Sequence, residues 1–94
     1  MQMHNPPHPG GILKEALENI PMSVTGFAAH LGVSRVGLSR ILNQRAGITA
    51  EMSIKIGEAF GQSPDLWFKI QNAYDFWQAA QAKHRKIRQL RQAA

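Results

Sequence analysis

Between Val24 and Arg45 the chain carries Arg35, Arg40 and Arg45 and no Asp or Glu. Placed on a helix at about 100° per residue, with Arg35 at zero, five residues share one side: Arg35, Val36, Ser39, Arg40 and Asn43 fall between about 0° and 140°. Leu38, Ile41 and Leu42 fall on the other, between about 240° and 340°. The polar side can recognise but cannot catalyse. Arginines at this spacing reach guanine edges or phosphates, and an exposed valine among them can meet a thymine methyl. The N-terminus of such a helix, at Ser34, favours a nearby phosphate. The competing account is a solvated helix face with one stray apolar residue.

A face of this kind needs a scaffold, and the apolar spacing supplies one made of helices alone. Residues 1–8, with Pro6 and Pro7, read as a flexible arm. A first helix is predicted from Pro9, burying Ile12, Leu13, Ala16 and Leu17 and stopping before Pro21. A second runs from Val24 to Leu31 with Ser23 as N-cap, and a third follows "GVS" with Ser34 as N-cap. Two helices joined by three residues containing Gly form the helix-turn-helix pattern. Gly32 suits a turn at positive φ, and Ala28 suits the crossing point of two helices. Of the other glycines, Gly26 falls in a first helical turn, and Gly37 sits on a flank where helix two or a DNA backbone could approach. A fourth helix starts after Thr49, buries Met52, Ile56, Ala59 and Phe60, and stops at Gly61. A fifth opens at "SPDLW", with Ser63 as cap, and meets no breaker before Leu90.

The remaining composition narrows the function classes. The 94 residues suit one small domain, and the absence of cysteine removes disulfides, thiolate metal sites and a cysteine nucleophile. No apolar run approaches a membrane span of about 20 residues. "MQMHNPPHPGG" lacks the basic start and apolar core of a signal peptide, so the expected address is the cytoplasm. His4 and His8 lie in the proline-rich arm, His30 on helix two and His84 near the end, with no H-E-x-x-H spacing. No metal, cofactor, small-molecule substrate or catalytic residue is therefore expected.

Charge is unevenly placed. Residues 1–75 hold six Lys/Arg against six Asp/Glu, whereas residues 76–94 hold five Lys/Arg and no acid. The basic segment 80–94 is expected to continue helix five, either as a solvated end or as an auxiliary contact to phosphates. Helix five itself has more aromatic residues than one buried face can take. Leu66, Ile70, Ala73 and Trp77 make one stripe, and Trp67 and Tyr74 another. Tyr74, Phe76 and Trp77 are the surplus, and they suggest a dimer interface.

With these residues in hand, the chain resembles the HigA-type antitoxins of the Cro/CI (XRE) helix-turn-helix class. "HPG", "LGVSR…LSRILN", "GITAEM" and "SPDLWFKIQNAYDFW" occur in that family's order across about residues 8–79. The resemblance implies an all-α, five-helix, lambda-repressor-like domain (residues 9–79, motif 24–43) with an extended last helix. It also implies a homodimer on a near-palindromic operator that represses its own operon and neutralises a HigB-like mRNA-cleaving toxin. DNA-facing positions carry over as Thr25, Ser34, Arg35, Val36, Ser39 and Arg40, to which the helical wheel adds Asn43 and the local charge adds Arg45. The chain departs from the family at Val24, where Gln is common, and at Gly37, where Thr or Ser is common. The rival reading is an orphan Cro/CI-type regulator without a toxin.

Overall fold

The computed structural model describes residues 5–91 and contains, among them, five helices and no strand: α1 (Pro9–Glu18), α2 (Val24–Leu31), α3 (Arg35–Leu42), α4 (Ala50–Phe60) and α5 (Leu66–Gln81). Met1 to His4 and Gln92 to Ala94, with the expectations placed on them, lie outside the described residues.

Side-chain caps set four of the five helix starts. Ser23, Ser34 and Thr49 accept the N–H of Gly26, Gly37 and Met52. At α1 the cap is His8, whose Nδ1 accepts the Gly10 N–H at 2.9 Å. Each such cap satisfies one otherwise orphaned donor and contributes about 1 kcal/mol. Gly32 ends α2 at φ 73° and Gly61 ends α4 at φ 66°. In both, the next residue's N–H reaches back five positions, Val33 to Ala28 O at 2.9 Å and Gln62 to Gly57 O at 2.8 Å. This left-handed closure suits glycine, because a Cβ there is strained.

The helices enclose one core. Leu13 and Leu17 of α1, Phe27, Ala28 and Leu31 of α2, and Leu38, Ile41 and Leu42 of α3 are buried. Ile48, Ile56 and Trp67 complete it. Phe27, Phe60 and Trp67 form an aromatic chain across α2, α4 and α5, with centroid separations of 5.6 and 6.4 Å. Helix α1 packs on α3 and α5, α2 on α3 and α4, and α4 on α5.

Three expectations need correction. Helix α5 begins at Leu66, not at Pro64, because Ser63 donates to Asp65 Oδ1 across a turn instead of capping the helix. Of the two aromatic stripes, the one with Trp67 and Tyr74 turns inward, Trp67 and Gln71 being buried and Ile70 and Tyr74 half-buried; Leu66, expected in the core, is exposed, as is Ala73. Helix α5 ends at Gln81, with Ala82 extended, so residues 82–91 are not the helical continuation expected. They have no buried face, and their cations lack acidic partners at i,i+4.

In α4, Ile56 is buried as expected, but Met52, Ala59 and Phe60 are only half-buried. Buried Ser53 takes part in the packing instead. Its hydroxyl donates to Pro64 O at 2.8 Å and accepts the Phe68 N–H at 2.9 Å, tying α4 to the start of α5. Gln71, also buried, accepts the Ile48 N–H at 2.7 Å and donates to Asp75 at 2.9 Å.

Candidate nucleic-acid interface

The α2–turn–α3 unit exposes the residues of α3 that its core contacts leave outside. Burial of Leu38, Ile41 and Leu42 fixes the rotation of α3 about its axis. Arg35, Val36 and Arg40 are consequently exposed, and Ser39 is half-buried at the edge of the face. Val36 is 66% exposed, well beyond what core packing requires. Thr25, on the first turn of α2, is also exposed.

Two of these residues meet. Arg35 Nε donates to Thr25 Oγ1 at 3.0 Å. The guanidinium has five N–H donors, so this bond leaves four for another acceptor. It also reduces the rotamer freedom that a long side chain loses on binding. Ser34 caps α3 through its hydroxyl oxygen, which leaves the O–H proton free to donate.

The charges on this side have no internal neutralisation. Among the described residues the ion pairs are Lys55–Glu51 and Lys69–Asp65, both distant in sequence from the motif. Arg35, Arg40 and Arg45 therefore present a net positive field to solvent.

The exit from α3 uses a device that composition did not reveal. Gln44 takes φ 60°, a left-handed conformation that side chains other than Gly and Asn rarely adopt. Its N–H bonds to Ile41 O at 3.0 Å, and that of Arg45 to Arg40 O at 2.8 Å. Asn43, the C-cap of α3, and Arg45, just beyond it, are both exposed. Asn43 Nδ2 reaches Ser39 Oγ at 3.4 Å. Of the eight candidate residues, seven are exposed and Ser39 half-buried, and hydrogen bonds join Thr25 to Arg35 and Ser39 to Asn43.

Gly26 lies in the first turn of α2 and Gly32 takes a positive φ, both as expected, whereas Gly37 does not border α2. A Cβ on Gly37 would meet Ser34 Oγ at 2.9 Å, and one on Gly26 would meet Met22 Cγ at 3.1 Å and Ser23 Oγ at 3.3 Å. Both lie against the serine that caps their own helix, so Gly37 does not serve a close approach of α2. The tightest approach between helices is elsewhere: a Cβ on Gly10 would fall 1.9 Å from Ile41 O, where α1 crosses the end of α3.

His8 is not a loose arm residue. Besides capping α1, its ring stands edge-on to Tyr74 with centroids 4.8 Å apart. Burial pushes its pKa below the ordinary 6.5, and the Asp75 carboxylate partly opposes this. Tyr74 is half-buried and accepts from Gln78 Nε2 at 2.7 Å, so much of its surface is spent within the chain. Phe76, by contrast, is 71% exposed and Trp77 half-buried. Among the described residues no three His, Asp or Glu side chains converge as metal ligands. None of the described helices is long and apolar enough to cross a membrane.

Comparison with known proteins agrees with this geometry. A helix-turn-helix family pattern matches residues 13–67. Virulence-associated protein A' of Dichelobacter nodosus is 39% identical over 90 residues, covering 95% of this chain and 78% of that protein. The solved addiction-module antidote protein of the HigA family from Coxiella burnetii superposes with a TM-score of 0.76 at 36% identity, over 81% of this chain and 84% of that one. The antitoxin HigA of Pseudomonas aeruginosa, solved with the higBA promoter, gives a TM-score of 0.75 at 35% identity, over 79% and 82% of the two chains.

Proposed function

The chain belongs to the helix-turn-helix family, in its Cro/CI-type (XRE) branch, and on that premise we propose that it is an autorepressing antitoxin. It binds its own operator as a homodimer and neutralises a HigB-like, mRNA-cleaving toxin. One observation carries the DNA-binding part. The exposed face of α3 holds Arg35, Val36 and Arg40, with Ser39 at its edge, and among the described residues neither arginine is tied up in an ion pair. On a duplex, the arginines supply base-edge or phosphate contacts and Val36 an apolar contact to a thymine methyl. Thr25, Ser34, Asn43 and Arg45 frame the face and hold phosphates. Two copies place two such helices about 34 Å apart, so the operator is a near-palindrome. Phe76 and Trp77, with the exposed edge of Tyr74, form the surface on which the copies pair. Such a protein works in the cytoplasm, by binding rather than catalysis.

The antitoxin part rests on the likeness to HigA proteins of known structure. The likeness to a virulence-associated protein favours a second reading, a regulator with no toxin partner. Two measurements separate these. Fluorescence anisotropy with the duplex upstream of the protein's own gene should show tight binding that a scrambled duplex does not match. Co-expression should then show that the product of the adjacent gene halts growth alone and co-purifies with this chain. Operator binding without a toxic neighbour leaves the regulator, and equal binding to both duplexes sinks the repressor reading.

A further inference from the structure

We propose that the basic segment after α5, residues 83–91, is a second DNA-binding element that grips duplex phosphates beside the α3 footprint. The proposal rests on the operator-binding reading for its target and on separate observations for its substance.

The first observation is the state of the segment. Lys83, Arg85, Lys86, Arg88 and Arg91 all lie in non-helical chain and all are exposed. None forms an ion pair with any described residue. Ile87 and Leu90 are 81% and 85% exposed, so nothing apolar seats the segment on the domain either. Five cations without an acid cannot order themselves by mutual contact. A polyanion orders them at once, because each phosphate neutralised releases condensed counterions.

The second observation is where the segment starts. Tyr74 and Asp75 of α5 share an open cleft with Gln44 and Arg45, the residues through which the chain leaves α3. Gln81 lies about 10 Å further along α5. Ten extended residues from Ala82 to Arg91 span up to about 33 Å. That reach exceeds the roughly 10 Å of helix between the segment's start and the cleft holding Arg45. A duplex carries a charge about every 1.7 Å along its axis, so any backbone within that reach offers acceptors.

The partner is a duplex rather than a protein surface on grounds of charge and continuity. The net +5 of the sequence is carried by residues 76–94, and the cleft that α5 borders is lined by exposed Arg45, just after the motif. Such binding is sequence-independent. It raises affinity for every duplex alike and leaves base selection to α3.

The test uses the full chain with Lys83, Arg85, Lys86, Arg88 and Arg91 all changed to Gln. Binding to operator and scrambled duplexes is followed from about 50 to 200 mM salt. The slope of log K against log salt should flatten by about 0.9 for each phosphate that is no longer neutralised. Affinity should fall by the same factor on both duplexes, so their ratio stays constant. An unchanged slope overturns the proposal, and so does a loss confined to the operator. The operator reading fails differently. If the parent chain binds both duplexes equally and the Gln variant still flattens the slope, the segment is a DNA-binding element on a protein that does not select the operator. If the parent chain binds neither duplex, both readings fall.

Discussion

Arg35 Nε donates to Thr25 Oγ1 at 3.0 Å, joining the first turns of two helices that are connected only through the turn at Gly32. The bond orients the guanidinium in the free chain. If that guanidinium reads a guanine, Arg35→Ala should cost about 1–3 kcal/mol on the operator and relax one base position. Thr25→Val should weaken binding less, and the double variant should be less damaging than the sum of the two. Anisotropy titrations on operator and scrambled duplexes measure all three. Equal losses on both duplexes would reduce Arg35 to a phosphate ligand.

Two glycines should respond unequally to alanine. Gly32→Ala puts a Cβ at φ 73° in open space, so only the backbone strain of about 1–2 kcal/mol is expected. Gly10→Ala drives a Cβ into the Ile41 carbonyl and should be the more destabilising of the two. Urea midpoints at constant slope rank them, and the reverse order would mean that α1 shifts off α3 at little cost.

The histidine cap predicts a pH dependence. His8 is held below 6.5 in the folded chain, chiefly by burial. Below that value the unfolded chain takes up the proton more readily, so stability falls as pH drops through the interval between the two pKa values. Above about pH 6.5 the contribution is complete. His8→Asn keeps an N-cap acceptor without the titration. It should flatten the loss of thermal stability between pH 7 and 5, above the main carboxylate range. Parallel pH profiles for the two proteins would show that His8 does not carry the effect.

The pairing surface is best probed at Phe76. Tyr74 touches His8 and Gln78, so its removal would disturb the fold as well as any interface. Phe76, 71% exposed, has no such double role. Phe76→Lys should move the protein toward monomer in light scattering and lower operator affinity, with the melting temperature of the monomer at low concentration shifted by no more than about 2–4 °C. An undiminished dimer would place the interface on another face.

The starts of α1 to α4, and the caps Ser23, Ser34, Thr49 and Gly61, were readable from sequence because Pro9 and these residues punctuate the chain in agreement with the apolar period, whereas the His8 cap of α1 was hidden in what reads as a proline-rich arm. The face of α3 was legible for the same reason: three buried aliphatic residues fix its rotation. Helix α5 was not. Its aromatic residues lie on all sides, so periodicity could not say that Trp67 turns inward and Leu66 outward. Ser53 and Gln71 were invisible as core residues because their burial depends on partners from other elements, the Pro64 carbonyl and the Ile48 N–H. Gln44 gave no warning either, since glutamine carries no turn signature.

The seat of Gly10 on the Ile41 carbonyl has a consequence for how distance along DNA is measured. Helix α1 is pinned to the far end of α3 at this crossing, and through the His8 ring it rests against Tyr74 of α5. The helix proposed to read DNA and the helix proposed to pair subunits are thereby joined through α1 by direct packing. A dimer built from two such chains is a caliper with a fixed jaw opening. It cannot follow half-sites that drift apart, because each added base pair moves one of them by about 3.4 Å and rotates it around the duplex axis. On the proposed dimer, selectivity for an operator would reside as much in the length of DNA between the contacted bases as in the bases themselves.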